Sequence, residues 1–191
     1  GDIVLIHGFL SSPHYYSDFS KKFQDKGYNV IRCTQRGHGT RFFTSNVDEW
    51  DLNLHELDSL VNSLDSENII LIGHSMGGTL ALTEGLRNPK VKKVFAVSAI
   101  NNEKVFTDTD LKSRVNRLND NYDKIISVFP FQYAKCGKEN KDKFYLIHGK
   151  NDMVVPFNQF EANKKDLCIP DEHTLILNGN DKLPQNWHTG I

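Results

Sequence analysis

The sequence predicts an α/β fold: a doubly wound, mostly parallel sheet with helices on both faces and a small inserted cap. Three observations carry that expectation. Short apolar runs at 3–6, 30–33, 69–72, 94–97, 144–147 and 174–177 are rich in β-branched residues and mostly continuous rather than alternating. Strands buried on both faces have that character. Segments of helical periodicity lie between the runs, and such alternation calls for right-handed crossovers between parallel strands. Glycine, histidine and other polar residues cluster just after the runs, where sheets of this kind collect their functional side chains.

The elements come in order. After the run at 3–6, Tyr16, Phe19 and Phe23 recur at helical spacing until Gly27 ends the segment. After 30–33, Leu54, Leu57, Val61 and Leu64 mark a second helix, with Trp50 opening it as a core residue. The run at 69–72 leads through "GHSMGG" into Met76, Leu80, Ala81 and Leu86, and Asn88-Pro89 closes that helix. After 94–97 the rhythm breaks. "DTDLKSRVNRLNDNYDKIISVF" reads as one or two polar amphipathic helices, and "KCGKENKDK" as a solvated linker. A connection of this length exceeds what a crossover needs, so residues 99–143 read as an inserted cap. A helix is expected near Phe157 before the last run. One domain is expected over residues 1–191.

Composition narrows the classes. A chain of 191 residues can build one complete core and is short for two. Lys and Arg (23) nearly balance Asp and Glu (24), for a net charge of −1, so no nucleic-acid partner is expected. No apolar run approaches the ~18 residues of a membrane span, and the N-terminus lacks the layout of a signal peptide. Cys33, Cys136 and Cys168 are widely spaced and odd in number. They match neither a disulfide framework nor a zinc site, which points to a reducing, cytoplasmic setting. "GDIVLIHG" starts inside an apolar run and "NWHTGI" stops with no helix behind it, so the chain is expected to lack material at one or both ends. Neither oligomeric state nor natural substrate is written in these patterns.

The chemistry lies at the ends of five of the six runs, in the segments "HGF" at 7–9, "QRGHGT" at 35–40, "GHSMGG" at 73–78, "HGKNDMVVP" at 148–156 and "NGNDKLPQNWHTG" at 178–190. Ser75 sits in G-x-S-x-G, flanked by glycines that suit a tight strand-to-helix turn. A serine hydroxyl alone is a poor nucleophile and needs a base and an orienting acid. An aspartate and a histidine come after it at later strand ends. With that order of Ser, Asp and His, the chain resembles the α/β-hydrolase superfamily over nearly its whole length. "HGF…RGHGT…GHSMGG…HGKNDMVVP" is similar to the carboxylesterase and monoacylglycerol-lipase-like branch.

The resemblance implies Ser75 as nucleophile, Asp152 as orienting acid in G-x-x-D, and His188 as base. It implies an oxyanion hole from the backbone N–H groups of Phe9 and Met76. His173 opens the last run, whereas His188 comes after it on the side where Ser75 and Asp152 emerge. His7, His74, His148 and the "RGHGT" loop are expected to be structural. Two departures stand out: the loop "GNDKLPQN" before His188 is long, and the helix that usually pins this histidine is missing. His188 is therefore expected to be loosely held. The implied activity is cleavage of a small-molecule carboxylic ester of short to medium acyl chain through an acyl-enzyme, with Phe129, Phe131 and Tyr133 roofing a modest acyl pocket. No metal and no cofactor are implied. A thioesterase, amidase or small peptidase of the same fold, or an inactive binding protein built on it, are the alternatives. Ser75 argues against the aspartate-nucleophile branches.

Overall fold

The computed structural model of the chain describes residues 1–114, 118–178 and 188. Its strands are β1 (Asp2–Ile6), β2 (Asn29–Cys33), β3 (Ile69–His74), β4 (Val91–Val97), β5 (Phe144–Gly149) and β6 (Thr174–Leu177). They pair in the order β2-β1-β3-β4-β5-β6, and every pairing is parallel. The continuous apolar runs explain why. Ile3, Val4, Leu5 and Ile6 are each at most 1% exposed, so β1 has no solvent face. Burying such a side chain stabilises by about 1.5–3 kcal/mol. At the edge the rule relaxes, and Leu175 in β6 is 52% exposed.

Three helices connect the first four strands: α1 (Ser17–Gln24), α2 (Trp50–Ser63) and α3 (Met76–Arg87). Alternation along β1 divides the core. Val4 and Ile6 pack with Leu54, Leu57 and Leu80 of α2 and α3. Ile3 and Leu5 pack with Tyr16 and Ile72, and Phe23 of α1 lies against them. Beside α1 this second face holds an apolar groove of about 600 Å³, lined by Tyr15, Phe19, Phe23, Ile70, Phe95 and His74 among others.

Between β4 and β5 lie α4 (Lys104–Asp108), α5 (Leu111–Arg114), α6 (Leu118–Ile126) and α7 (Asn140–Lys143). Val105, Phe106, Ile125, Val128 and Phe129 are buried in the same core as α2 and α3. After β5 comes α8 (Phe157–Asp166). Gln159 accepts the N–H groups of Asn101 and Asn102 at 2.9 and 3.0 Å, and so ties α8 to the loop after β4.

The cysteine reading is corrected here. Cys136 and Cys168 form a disulfide, with Cα atoms 5.3 Å apart and a sequence separation of 32. Folding, not spacing, brings them together: the segment before β5 lies against the end of α8. Asn140 reinforces the contact by donating to the Leu167 carbonyl at 3.1 Å. The stretch read as a solvated linker is thus pinned at two points, and cysteine usage no longer argues for a reducing compartment. Among the described residues, no helix is long and apolar enough to cross a membrane.

Candidate active site

The centre of the site is the turn from β3 into α3. Ser75 takes φ 55° and ψ −118°, a conformation L-residues rarely adopt. Its N–H donates to the Val97 carbonyl at 2.8 Å, and its carbonyl accepts from Thr79 N–H at 3.0 Å. The turn closes because the glycines let backbone meet backbone. A Cβ on Gly73 would stand 2.1 Å from the Gly77 carbonyl oxygen, and one on Gly77 would stand 2.0 Å from that of Ile6. No side chain fits either place.

The loop after β1 runs along this turn. A Cβ on Gly8 would come within 3.1 Å of the Ser75 Cβ, so the backbone leading into Phe9 lies directly against Ser75. Two histidines fix that loop by bonds to backbone on both ring nitrogens. His38 donates from Nδ1 to the Arg36 carbonyl at 2.7 Å and accepts the Leu10 N–H at Nε2, 2.8 Å away. His7 accepts the Gln35 N–H at Nε2 (3.1 Å) and donates from Nδ1 to the Gly8 carbonyl (2.8 Å). Burial lowers both pKa values, that of His7 to about 4 despite the opposing bond to Gly8. Arg36 anchors the second loop to α2 through Glu49 at 2.8 Å and Glu56 at 2.9 Å. Met76 opens α3, so its N–H belongs to the first turn, whose donors have no helical acceptor.

Asp152 comes after β5, and its side chain is fully buried. Oδ1 accepts the N–H groups of Val154 and Val155, each at 2.9 Å. Oδ2 faces Nδ1 of His188 at 2.9 Å. Burial pushes this carboxyl up, but the His188 bond and charge with the two N–H donors outweigh it and hold the pKa below its ordinary 3.8. His148 donates from Nε2 to the Val155 carbonyl at 2.8 Å, a buried structural role as expected.

His188 is buried, at 7% exposure, and bonded to Asp152 through Nδ1. Its ring packs on His74 with centroids 4.8 Å apart, and His74 Nε2 bonds to its backbone carbonyl oxygen. His74 precedes Ser75 in the chain, so the His188–Asp152 pair lies against the residue next to Ser75. The loop 179–187 lies outside the described residues. His173 stacks on Tyr145 at 4.0 Å, before β6 and at the other end of the sheet.

The aromatic roof is corrected. Phe129 is fully buried, stacks on Phe106 at 5.9 Å and meets Trp50 edge-on at 6.2 Å. Tyr133 donates to the Ser127 carbonyl and lies under Arg87, at the far end of α3 from Ser75. Twelve helical residues separate the two ends, about 18 Å by helix rise. Phe131 is half-buried against the core, its N–H on the Asn101 carbonyl. These rings pack the inserted segment onto the sheet domain. Trp50 does reach the site, because its ring lies 6.1 Å from that of Phe9.

The sequence profile of the α/β hydrolase fold family matches residues 3–132. The chain belongs to that family. This α/β hydrolase is 27% identical over 210 residues to an inferred esterase/lipase of Mycoplasma genitalium, covering 87% of this chain and 78% of the relative. It is 33% identical over 76 residues to a non-heme chloroperoxidase of Kitasatospora aureofaciens, covering 40% of this chain and 28% of that protein. Among solved structures it is similar to the monoacylglycerol lipase of Paleococcus ferrophilus, with a TM-score of 0.69 at 16% identity. That match covers 95% of this chain and 84% of the lipase. These likenesses mark an esterase/lipase-like α/β hydrolase.

Proposed function

We propose that this α/β hydrolase cleaves carboxylic esters through a serine-bound acyl intermediate. The observation that carries the reading is the Asp152–His188 pair at 2.9 Å, with His188 packed against the residue that precedes Ser75. Ser75 Oγ attacks the ester carbonyl while His188 Nε2 takes its proton; Asp152 holds Nδ1–H and stabilises the imidazolium. The backbone N–H groups of Phe9 and Met76 receive the oxyanion. His188 then returns the proton to the departing alcohol, and water releases the acid by the same steps. The inserted segment at 99–143 acts as a cap from the side of Trp50. Trp50, whose ring lies 6.1 Å from that of Phe9, stands on that side, and acyl groups of short to medium length are the proposed substrates.

The test is a fluorophosphonate probe together with a nitrophenyl ester panel graded in acyl length. Ser75→Ala should abolish labelling and lower kcat by about 10³-fold or more while the protein stays folded. Undiminished turnover in that variant would overturn the reading. Peak activity at sixteen carbons would overturn the length preference alone. Thioester and anilide substrates run in parallel separate esterase from thioesterase and amidase.

A further inference from the structure

His74 stands between the apolar groove beside α1 and His188. On one side Tyr15 stacks on its ring, with centroids 5.2 Å apart and planes at 16°. On the other side lies His188, to whose backbone carbonyl oxygen His74 Nε2 is bonded. A carbonyl oxygen only accepts, so Nε2 carries the hydrogen. Nδ1 is turned toward Gly8, where a Cβ would come within 3.2 Å of it. Burial, reinforced by the neighbouring His188, pushes the His74 pKa down to about 4 against the opposing carbonyl bond, so the ring is neutral near pH 7. Its tautomer and orientation are fixed from three directions.

We propose that His74 is a positioning residue, whose Nε2–H bond to the His188 carbonyl sets where the base stands relative to Ser75. The inference rests on the reading of Ser75, His188 and Asp152 given above. Asp152 grips the imidazole of His188 at Nδ1 and so orients the ring. The His74 bond grips the backbone of His188. One contact thus holds the side chain and another the carbonyl of the same residue. Because His74 and Ser75 are consecutive on a rigid turn, the bond ties the base to the nucleophile's own backbone. Misplacement by about 1 Å at such a contact can lower turnover by as much as about 100-fold.

Two substitutions separate the bond from the ring. His74→Phe keeps an aromatic ring on Tyr15 and removes the donor; His74→Gln restores an N–H near the Nε2 position and removes the ring. His74→Phe should lower kcat by about tenfold to 100-fold, with KM changed less than about twofold. His74→Gln should recover most of that loss, and the rate of fluorophosphonate labelling should track kcat. If His74→Phe turns over like wild type while Ser75→Ala is dead, or if His74→Gln is as impaired as His74→Phe, the positioning role is overturned. If Ser75→Ala itself remains active, the underlying reading fails instead. Nitrogen-15 imidazole spectra of the wild-type protein decide the matter even if a variant does not fold. At pH 7 His74 should be the neutral Nε2–H tautomer, and an Nδ1–H tautomer or a charged ring would refute the bond.

Discussion

Glu84 offers a quantitative test of how this core tolerates charge. It lies in α3, fully buried, with Oε1 accepting from Asn88 at 2.8 Å and Oε2 without a hydrogen-bond partner. Burial raises its pKa from 4.5 to about 7; Asp58 on α2 adds to the rise, while Asn88 and Arg87 oppose it. The folded state therefore holds this proton more tightly than the unfolded chain does. The associated stability is fully present below about pH 4.5 and drains away as pH rises toward 7. A shift from 4.5 to about 7 corresponds to about 3 kcal/mol above pH 7. Glu84→Gln keeps the acceptor for Asn88, places an N–H₂ where Oε2 stands, and cannot ionise. Urea unfolding of both proteins should give similar midpoints at pH 4.5 and a gap that widens to about 3 kcal/mol in favour of Glu84→Gln by pH 8. Parallel stability curves across that range would refute the reasoning, because they would mean that Glu84 is as well solvated folded as unfolded.

The elbow makes a sharper prediction. Gly77→Ala drives a Cβ into the backbone of Ile6 and should destroy activity and soluble folding. Gly85→Ala, in the same helix, meets only the side chains of Val94 and Phe144, and should cost about 1–3 kcal/mol in a melt. Comparable behaviour of the two would contradict the backbone argument. Asp152→Asn keeps the acceptor for Val154 and Val155 but offers an N–H to His188 Nδ1, so kcat should fall by roughly 10³- to 10⁴-fold. Activity within tenfold of wild type would remove Asp152 from its role. Since the Asp152 carboxyl titrates below 3.8, its contribution to stability should persist at neutral pH and be lost only as pH falls below that value. Opening the Cys136–Cys168 bridge, which closes a separation of 32 residues, should lower stability by about 3 to 4 kcal/mol on chain entropy. A urea midpoint indifferent to reductant would refute that.

Legibility in the sequence depends on the range of the interactions involved. The strands at 3–6 and 69–72 announced themselves because burial on both faces leaves no polar position to interrupt the run. The Ser75 turn was legible because backbone contact admits glycine alone. The disulfide was not, since Cys136 and Cys168 meet only after β5 and α8 are in place. Phe129 and Tyr133 misled for a related reason: an aromatic cluster in an insert looks the same whether it roofs a cavity or seals a core. His38 and His74 carried a faint signal, as histidines beside glycines at strand ends. Their partners are backbone groups far away in the chain, and backbone groups leave no mark in a sequence.

The order of strands across the sheet also follows the order of synthesis along most of the chain. β1, β3, β4, β5 and β6 stand side by side in the sequence in which they leave the ribosome, with β2 closing the opposite edge. The segment through β4 already contains the pairings that shape the Ser75 turn, including the Val97 carbonyl that receives its N–H. Asp152 arrives with β5, and His188, 114 residues after His74, arrives behind β6. On the mechanism proposed above, the nucleophile's turn is therefore built from residues made early, and the base and its orienting acid come from residues made later.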